Sequence, residues 1–237
     1  MSDTKFCFKK FNIHQDLCAM KVGTDSVLLG AWATLPQEGR ILDIGAGTGI
    51  LSLMAAQRTA AFITAIEIEP NAARQARYNI QESVWNERIS VVEGNFTQWV
   101  TATSDTFDCI ISNPPFFEQS LLSPDDRRTT ARHTTMLTYK DIFELSRNII
   151  STTGHLAMII PYDLYNSINK TAMLYGWGAT RMTKVCTTPR KTAKRALCQW
   201  QRNYYGNCHE TTLYLRSADG EYSEEYKHLT ADFYLNF

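Results

Sequence analysis

A chain of 237 residues, 44% hydrophobic and 20% charged, has the make-up of an ordinary globular protein and suffices for one sizeable α/β unit with modest extensions. Lys+Arg 24 against Asp+Glu 24 gives zero formal net charge, so no global field selects a polyanionic partner. Six scattered cysteines without a Cys-x-x-Cys pair or neighbouring His ligands argue against zinc, and the lack of any apolar run of membrane-spanning length points to a cytoplasmic chain, expected to be a monomer.

Near the N-terminus, Phe6, Phe8 and Phe11 alternate with Lys5, Lys9 and Lys10, which reads as a strand or an arm. Residues 27–32 form an apolar run of helical type, for which Thr24 or Asp25 is a suitable N-cap. The free N–H groups at such a helix start suit an anion, for example a ligand carboxylate. From residue 40 the pattern alternates. Strands are expected at 41–44, 62–68, 89–92, 107–112 and 155–160, with helices at 48–58, 70–81, 138–150 and 162–175. This alternation predicts a largely parallel sheet with helices on both faces. Three further strands, at 180–187, 196–205 and 210–215, predict that the sheet finishes with an antiparallel pair. No linker or repeat interrupts the chain, so 1–237 reads as a single domain, with 1–36 an N-terminal extension and 37–237 the core.

The first strand runs into Asp43-Ile44-Gly45-Ala46-Gly47-Thr48-Gly49. Glycines at alternate positions allow a tight turn and a close approach of ligand to backbone. The spacing is G-x-G-x-G rather than the dinucleotide G-x-G-x-x-G, and the acid two residues earlier would repel a pyrophosphate but could hold an ammonium. The pattern resembles motif I of class I S-adenosylmethionine-dependent methyltransferases, which implies a Rossmann-like fold with a mostly parallel seven-stranded sheet ending in an antiparallel strand. That resemblance places the cofactor against Asp43, Gly45, Gly47 and Gly49, with Thr24 on a helix that caps it. It also directs attention to Glu67 at the end of the second strand, where a carboxylate accepts from two ribose hydroxyls; Glu69 is the competing candidate. Asn95 stands where the family usually has an aspartate that accepts the adenine amino group. Phe96 either packs beside that adenine or belongs to the core.

The fourth strand is stopped by Asn113-Pro114-Pro115-Phe116. Taken alone, this is common turn punctuation. Placed after motif I, it is similar to the catalytic loop of amino-group methyltransferases that act on adenine, cytosine or the glutamine amide of release factors. The resemblance implies that the Asn113 oxygen and the Pro114 carbonyl accept the two protons of an exocyclic amine, while Phe116, with Phe117 as a second wall, stacks on a flipped base. It calls for no metal.

Residues 11–25, the Arg127-Arg128-x-x-Ala131-Arg132-His133 segment and residues 222–235 resemble the bacterial tRNA adenine-N6 methyltransferases that modify the adenosine just 3′ of the anticodon in a valine tRNA. This implies an anticodon stem-loop as partner, with Arg127, Arg128, Arg132 and His133 clamping phosphates, unless Asp125 and Asp126 merely pair with them. Residues 164–209 hold no acid and eight basic residues. Within them Arg190, Lys191, Lys194 and Arg195, with Trp200, Tyr204 and Tyr205, are either an RNA-binding surface or a solvated loop beside strand aromatics. A protein-glutamine N5 methyltransferase, another RNA or DNA adenine-N6 methyltransferase, and a non-enzymatic RNA-binding module are the alternatives.

Overall fold

The computed structural model describes residues 5–18, 21–114 and 137–237. Two short strands, β1 (Lys5–Cys7) and β2 (Asn12–His14), form an antiparallel hairpin, and helix α1 (Thr24–Trp32) follows. The strand and helix alternation then runs β3 (Arg40–Ile44), α2 (Ile50–Arg58), β4 (Phe62–Glu67), α3 (Pro70–Gln81), β5 (Ile89–Glu93), α4 (Phe96–Ala102) and β6 (Phe107–Ser112). After residue 136 come α5 (Tyr139–Ser146), β7 (Ile150–Pro161), α6 (Tyr165–Leu174), β8 (Trp177–Cys186), β9 (Arg195–Arg202), β10 (His209–Tyr214) and α7 (Glu224–Thr230).

Among the described residues the large sheet has eight strands in the order β10-β8-β9-β7-β6-β3-β4-β5, of which only β9 runs against the others. The expected closing antiparallel pair is therefore β8 with β9, but β9 lies inside the sheet. β10 crosses to the far side of β8, pairs with it in parallel and adds an eighth strand at the edge, where all of its side chains but Leu213 face solvent or are only partly covered. Two apolar clusters fill the two faces. One gathers α1, α2, the inner side of α3 and the hairpin around Ile41, Ile63 and Ile111; the other gathers α4, α5 and α6 around Leu42, Ile110 and Leu156. Adjacent residues of one strand thus serve opposite layers, as the two-residue period of a strand requires. Helix α2 is buried from Ile50 to Ala56, which explains why it is apolar all round.

Two helices went unread in the sequence. α4 is seven residues long and begins with Phe-Thr-Gln-Trp-Val, a composition that favours strands, and α7 is equally short. The N-terminal segment is bound in rather than free. Lys9 donates from Nζ to the carbonyls of Ala231 and Phe237 at 2.6 and 2.7 Å, so it stitches the hairpin to the C-terminal segment and is not a spare cation for a nucleic acid. Asn79 and Gln75 of α3 accept from the backbone N–H groups of His14 and Leu17 at 2.9 and 3.0 Å, strapping residues 14–17 along that helix.

Candidate active site

Four neighbouring parallel strands, β6, β3, β4 and β5, bring their C-terminal ends to one edge, carrying Asn113, Asp43, Glu67 and Asn95 in that spatial order. At about 4.8 Å per strand the row spans roughly 14 Å. Parity adds a second constraint. Asp43 and Glu67 fall on the same side of the pleat as Ile41 and Ile63, which face α1 and α2, and Asn113 continues the alternation of Cys109 and Ile111.

Asp43 is fully buried. Its Oδ2 accepts from Ser52 Oγ at 2.7 Å, whereas Oδ1 has no hydrogen-bond partner among the described residues. Burial, with the nearby Glu67 charge as a lesser contribution, pushes its carboxyl up to about 7, against the lowering effect of the Ser52 hydrogen bond. A buried carboxylate oxygen without a donor is costly unless a cationic group meets it. The glycine turn beside it leaves that space. Gly45 and Gly47 have φ of +74° and +56°, and a Cβ built on either would meet nothing within 4 Å. Gly49, at φ +81°, closes the turn as the N-cap of α2; the helix therefore starts at Ile50, two residues later than expected.

Glu67 is 8% exposed and anchors this turn to the end of β4: its Oε2 accepts from Gly47 N at 2.8 Å and its Oε1 from Glu69 N at 2.9 Å. Glu69 has a different task. Its carboxylate accepts from Asn71 N and Ala72 N at 3.1 and 2.6 Å, capping α3. Cys18 lies close enough for the Glu67 and Glu69 charges to be felt, and burial above all raises its thiol to about 11, so it stays protonated at neutral pH.

Asn95 caps α4. Its Oδ1 accepts from both Thr97 N and Thr97 Oγ1 at 2.8 Å. An N–H can only donate, which fixes the oxygen on that side and occupies both of its lone pairs. Phe96 is a buried member of the core between the sheet and α4, as the packing alternative has it.

Asn113 is half-buried just past β6, with Pro114 buried behind it. Its Nδ2 donates to Ser26 Oγ of α1 at 2.9 Å. Ser112 Oγ donates to Ile44 O at 2.7 Å and ties the end of β6 to the end of β3. Thr24 is exposed in the first turn of α1. Neither it nor Asp25 is the N-cap: that position is Gly23, with no side-chain cap, and Asp25 instead pairs with Arg195 Nε at 2.8 Å. Pro115, Phe116, Phe117, Arg127, Arg128, Arg132 and His133 lie outside the described residues.

The basic and aromatic residues that adjoin in sequence part company in space. Arg190, Lys191 and Lys194 are exposed on the β8–β9 turn, which reaches the same edge as Asp43 and Asn113 because β8 runs parallel to β3 and β6. Strand β9 then carries the chain away over roughly 23 Å, at ~3.3 Å per residue, so Tyr204 and Tyr205 emerge at the opposite edge. Trp200 is wholly buried, donating from Nε1 to Asn169 Oδ1 at 3.0 Å with its ring edge-on to Phe143. Several other cations in this region are engaged: Arg181 lies over the Trp32 ring, Lys184 pairs with Glu210, and Arg202 donates to Arg147 O.

A cavity of about 330 Å³ lined by Thr24, Asp25, Lys194 and Arg195 adjoins α1. A larger groove, about 760 Å³, lies at the other end of the strands beside Arg40, Phe62 and Arg88. Its arginines are already held, Arg40 by Asp105 and Arg88 by the carbonyls of Ala56, Thr59 and Ala61, so size does not mark the site. Among the described residues no His, Cys, Asp and Glu group could hold a metal, and no helix is long and apolar enough to cross a membrane.

Residues 18–168 match the methyltransferase small domain family. The chain is 43% identical over 238 aligned positions to the tRNA1(Val) (adenine(37)-N6)-methyltransferase of Bacteroides thetaiotaomicron, covering 100% of this chain and 99% of that one. This chain belongs to that methyltransferase family. A second member, from Escherichia fergusonii, is 40% identical over 232 residues, covering 97% and 94% of the two chains. The crystal structure of a predicted O-methyltransferase from Agrobacterium tumefaciens superposes with a TM-score of 0.72 at 20% identity, covering 88% of this chain and 96% of that one, and establishes the class I methyltransferase fold. Within this family fold, sequence reasoning missed Ser26 and Ser52. Both are unremarkable serines whose partners, Asn113 and Asp43, become neighbours only through folding.

Proposed function

We propose that this chain methylates N6 of adenosine 37 in a valine tRNA, the activity that its relatives' names state, with S-adenosylmethionine as the methyl donor. The observation that carries the reading is the pairing of an unpartnered, buried Asp43 oxygen above an open glycine turn with Asn113 one strand away. S-adenosylmethionine supplies an electrophilic methyl group when bound, so the chain's work is to orient the acceptor and stabilise its developing charge.

In this reading Asp43 holds the cofactor ammonium, directly or through water, and the backbone at Gly45 and Gly47 lies against the methionyl part. Glu67 accepts from the ribose hydroxyls with lone pairs left over from its two backbone bonds. With its oxygen spent on α4, Asn95 is left with its amide N–H groups to meet the adenine ring, which donate to a ring nitrogen rather than accept from the amino group. Asn113 Oδ1 and the Pro114 carbonyl accept the two N6 protons of the target base, whose lone pair is then free of the ring and aimed along the strand row. Phe116 is assigned the stacking face for that base. Arg190, Lys191 and Lys194 meet RNA phosphates at the same edge.

Nucleoside mass spectrometry of valine tRNA incubated with the protein and labelled cofactor tests this. N6-methyladenosine 3′ of the anticodon is expected, with no label on a release factor offered in parallel. Asn113→Ala is expected to lower turnover by at least about 100-fold while cofactor affinity stays within about threefold. Near-normal turnover in that variant removes Asn113 from the chemistry.

A further inference from the structure

Asn113 presents two chemically opposite ends of nearly identical shape. Only the oxygen can accept a proton from an amine, and the NH2 end turned toward the target would set donor against donor. Rotation about the side-chain amide is soft, so an isolated Asn113 would sample both orientations and a range of positions between them. The backbone helps only in part, since Ser112 Oγ fixes the end of β6 to Ile44 O and buried Pro114 limits the next residue. Neither touches the amide.

Among the described residues, the group that does is Ser26. Its Oγ accepts from Asn113 Nδ2 at 2.9 Å across a sequence separation of 87 residues, from the first turn of α1. That turn is itself held. Asp25 pairs with Arg195, and the residues after Ser26 in α1, Val27 to Trp32, are buried. A hydroxyl on a fixed helix therefore takes up one end of the Asn113 amide, here the nitrogen, and, because it can accept or donate, it fixes where the group lies rather than choosing its end.

We infer that Ser26 is a positioning residue that holds the Asn113 amide in place at the site, so that its oxygen, the end left free by Ser26, meets the acceptor amine. The inference rests on the proposed role of Asn113 and adds the residue that holds its side chain in place. Loss of the hydroxyl releases the amide, which then meets the substrate over a wider range of positions and is less well aimed. The hydrogen bonds that hold Asp43, Gly47 and Glu67 are untouched by this change, since none of them involves Ser26.

The test compares Ser26→Ala, Ser26→Thr and Asn113→Ala, measuring kcat and KM with valine tRNA and the Kd for S-adenosylhomocysteine by calorimetry. Alanine is a better helix former than serine, so Ser26→Ala keeps α1 folded. The expected result is a kcat about tenfold lower in Ser26→Ala, with KM and Kd within about twofold, and recovery to within about threefold in Ser26→Thr, which keeps the hydroxyl. An unchanged kcat in Ser26→Ala, or a Ser26→Thr variant as slow as Ser26→Ala, overturns the inference while an inactive Asn113→Ala leaves the proposed function standing. An active Asn113→Ala overturns both. A rise confined to KM or to the cofactor Kd assigns Ser26 a binding or structural role and also overturns the inference.

Discussion

Replacing Asp43 by asparagine separates the cost of a buried acid from its use. The unfolded carboxyl titrates near 3.8 and the folded one at about 7, because burial disfavours the charge more than Ser52 supports it. A folded pKa above the unfolded one means that the folded chain binds the proton more tightly. Stability is therefore greatest below pH 3.8 as far as this group is concerned, and is lost as pH rises through about 7. A gap of about 3 pH units corresponds to a penalty on the order of 4 kcal/mol at pH 8. A neutral amide at this position would avoid it at a cost of about 1–3 kcal/mol for unpartnered amide protons, leaving a net gain of roughly 1–3 kcal/mol. The ligand-free Asp43→Asn variant is thus expected to melt a few degrees higher than the parent at pH 8, a difference that shrinks toward pH 5. Cofactor binding behaves oppositely. If the ammonium meets only the ionised carboxylate, about a tenth of the sites are competent at pH 6 and about nine-tenths at pH 8, so the Kd for S-adenosylhomocysteine falls about tenfold over that range. Calorimetry in two buffers of different ionisation enthalpy should show release of about half a proton at pH 7. Asp43→Asn should lose both the pH dependence and about 10- to 100-fold in affinity. A flat Kd between pH 6 and 8 in the parent, or a variant that melts lower at pH 8, would refute the reasoning.

The two neighbouring glutamates should separate cleanly. Glu69→Ala removes only the cap of α3 and is expected to cost about 1 kcal/mol in thermal stability with cofactor Kd within about twofold, whereas Glu67→Ala should raise that Kd at least about tenfold in the same titration. The combined Arg190→Ala, Lys191→Ala and Lys194→Ala variant is expected to raise KM for tRNA and to reduce the salt slope of RNA binding by up to about 3, without changing cofactor affinity. Tyr205→Ala, at the far edge and 91% exposed, should leave RNA binding as it was; filter binding across a salt series checks both.

The parallel strands were legible because residues 41–44, 63–66 and 109–111 are buried on both faces, apart from the partly covered Thr64, and so read as apolar runs that only Asp43 and Thr64 interrupt. The glycine turn was legible for a different reason: positive φ at Gly45, Gly47 and Gly49 excludes most other residues. What escaped notice was whatever depends on distant partners. Ser26 carries no local signal, and its role emerges only when α1 packs beside β6. Asn95 was read as a ligand residue because of where it stands in the motif, and its use as a helix cap was hidden because α4 was not expected. The grouping of Arg190 to Arg195 with Trp200 and Tyr205 treated closeness in sequence as closeness in space, which an eight-residue strand undoes. Trp200 itself shows that a strand aromatic flanked by polar residues can be core when both neighbouring strands and a helix cover it.

The orientation of β9 has a wider consequence. Had the strand between β7 and β8 pointed the same way as its neighbours, the cationic hairpin joining β8 to it could not have existed, since same-direction strands need a long crossover instead of a short turn. A single reversed segment therefore decides which rim of the molecule greets a polyanion. It lets a chain with no overall charge gather Arg190, Lys191 and Lys194 into a local electropositive lip at the edge that carries Asp43 and Asn113.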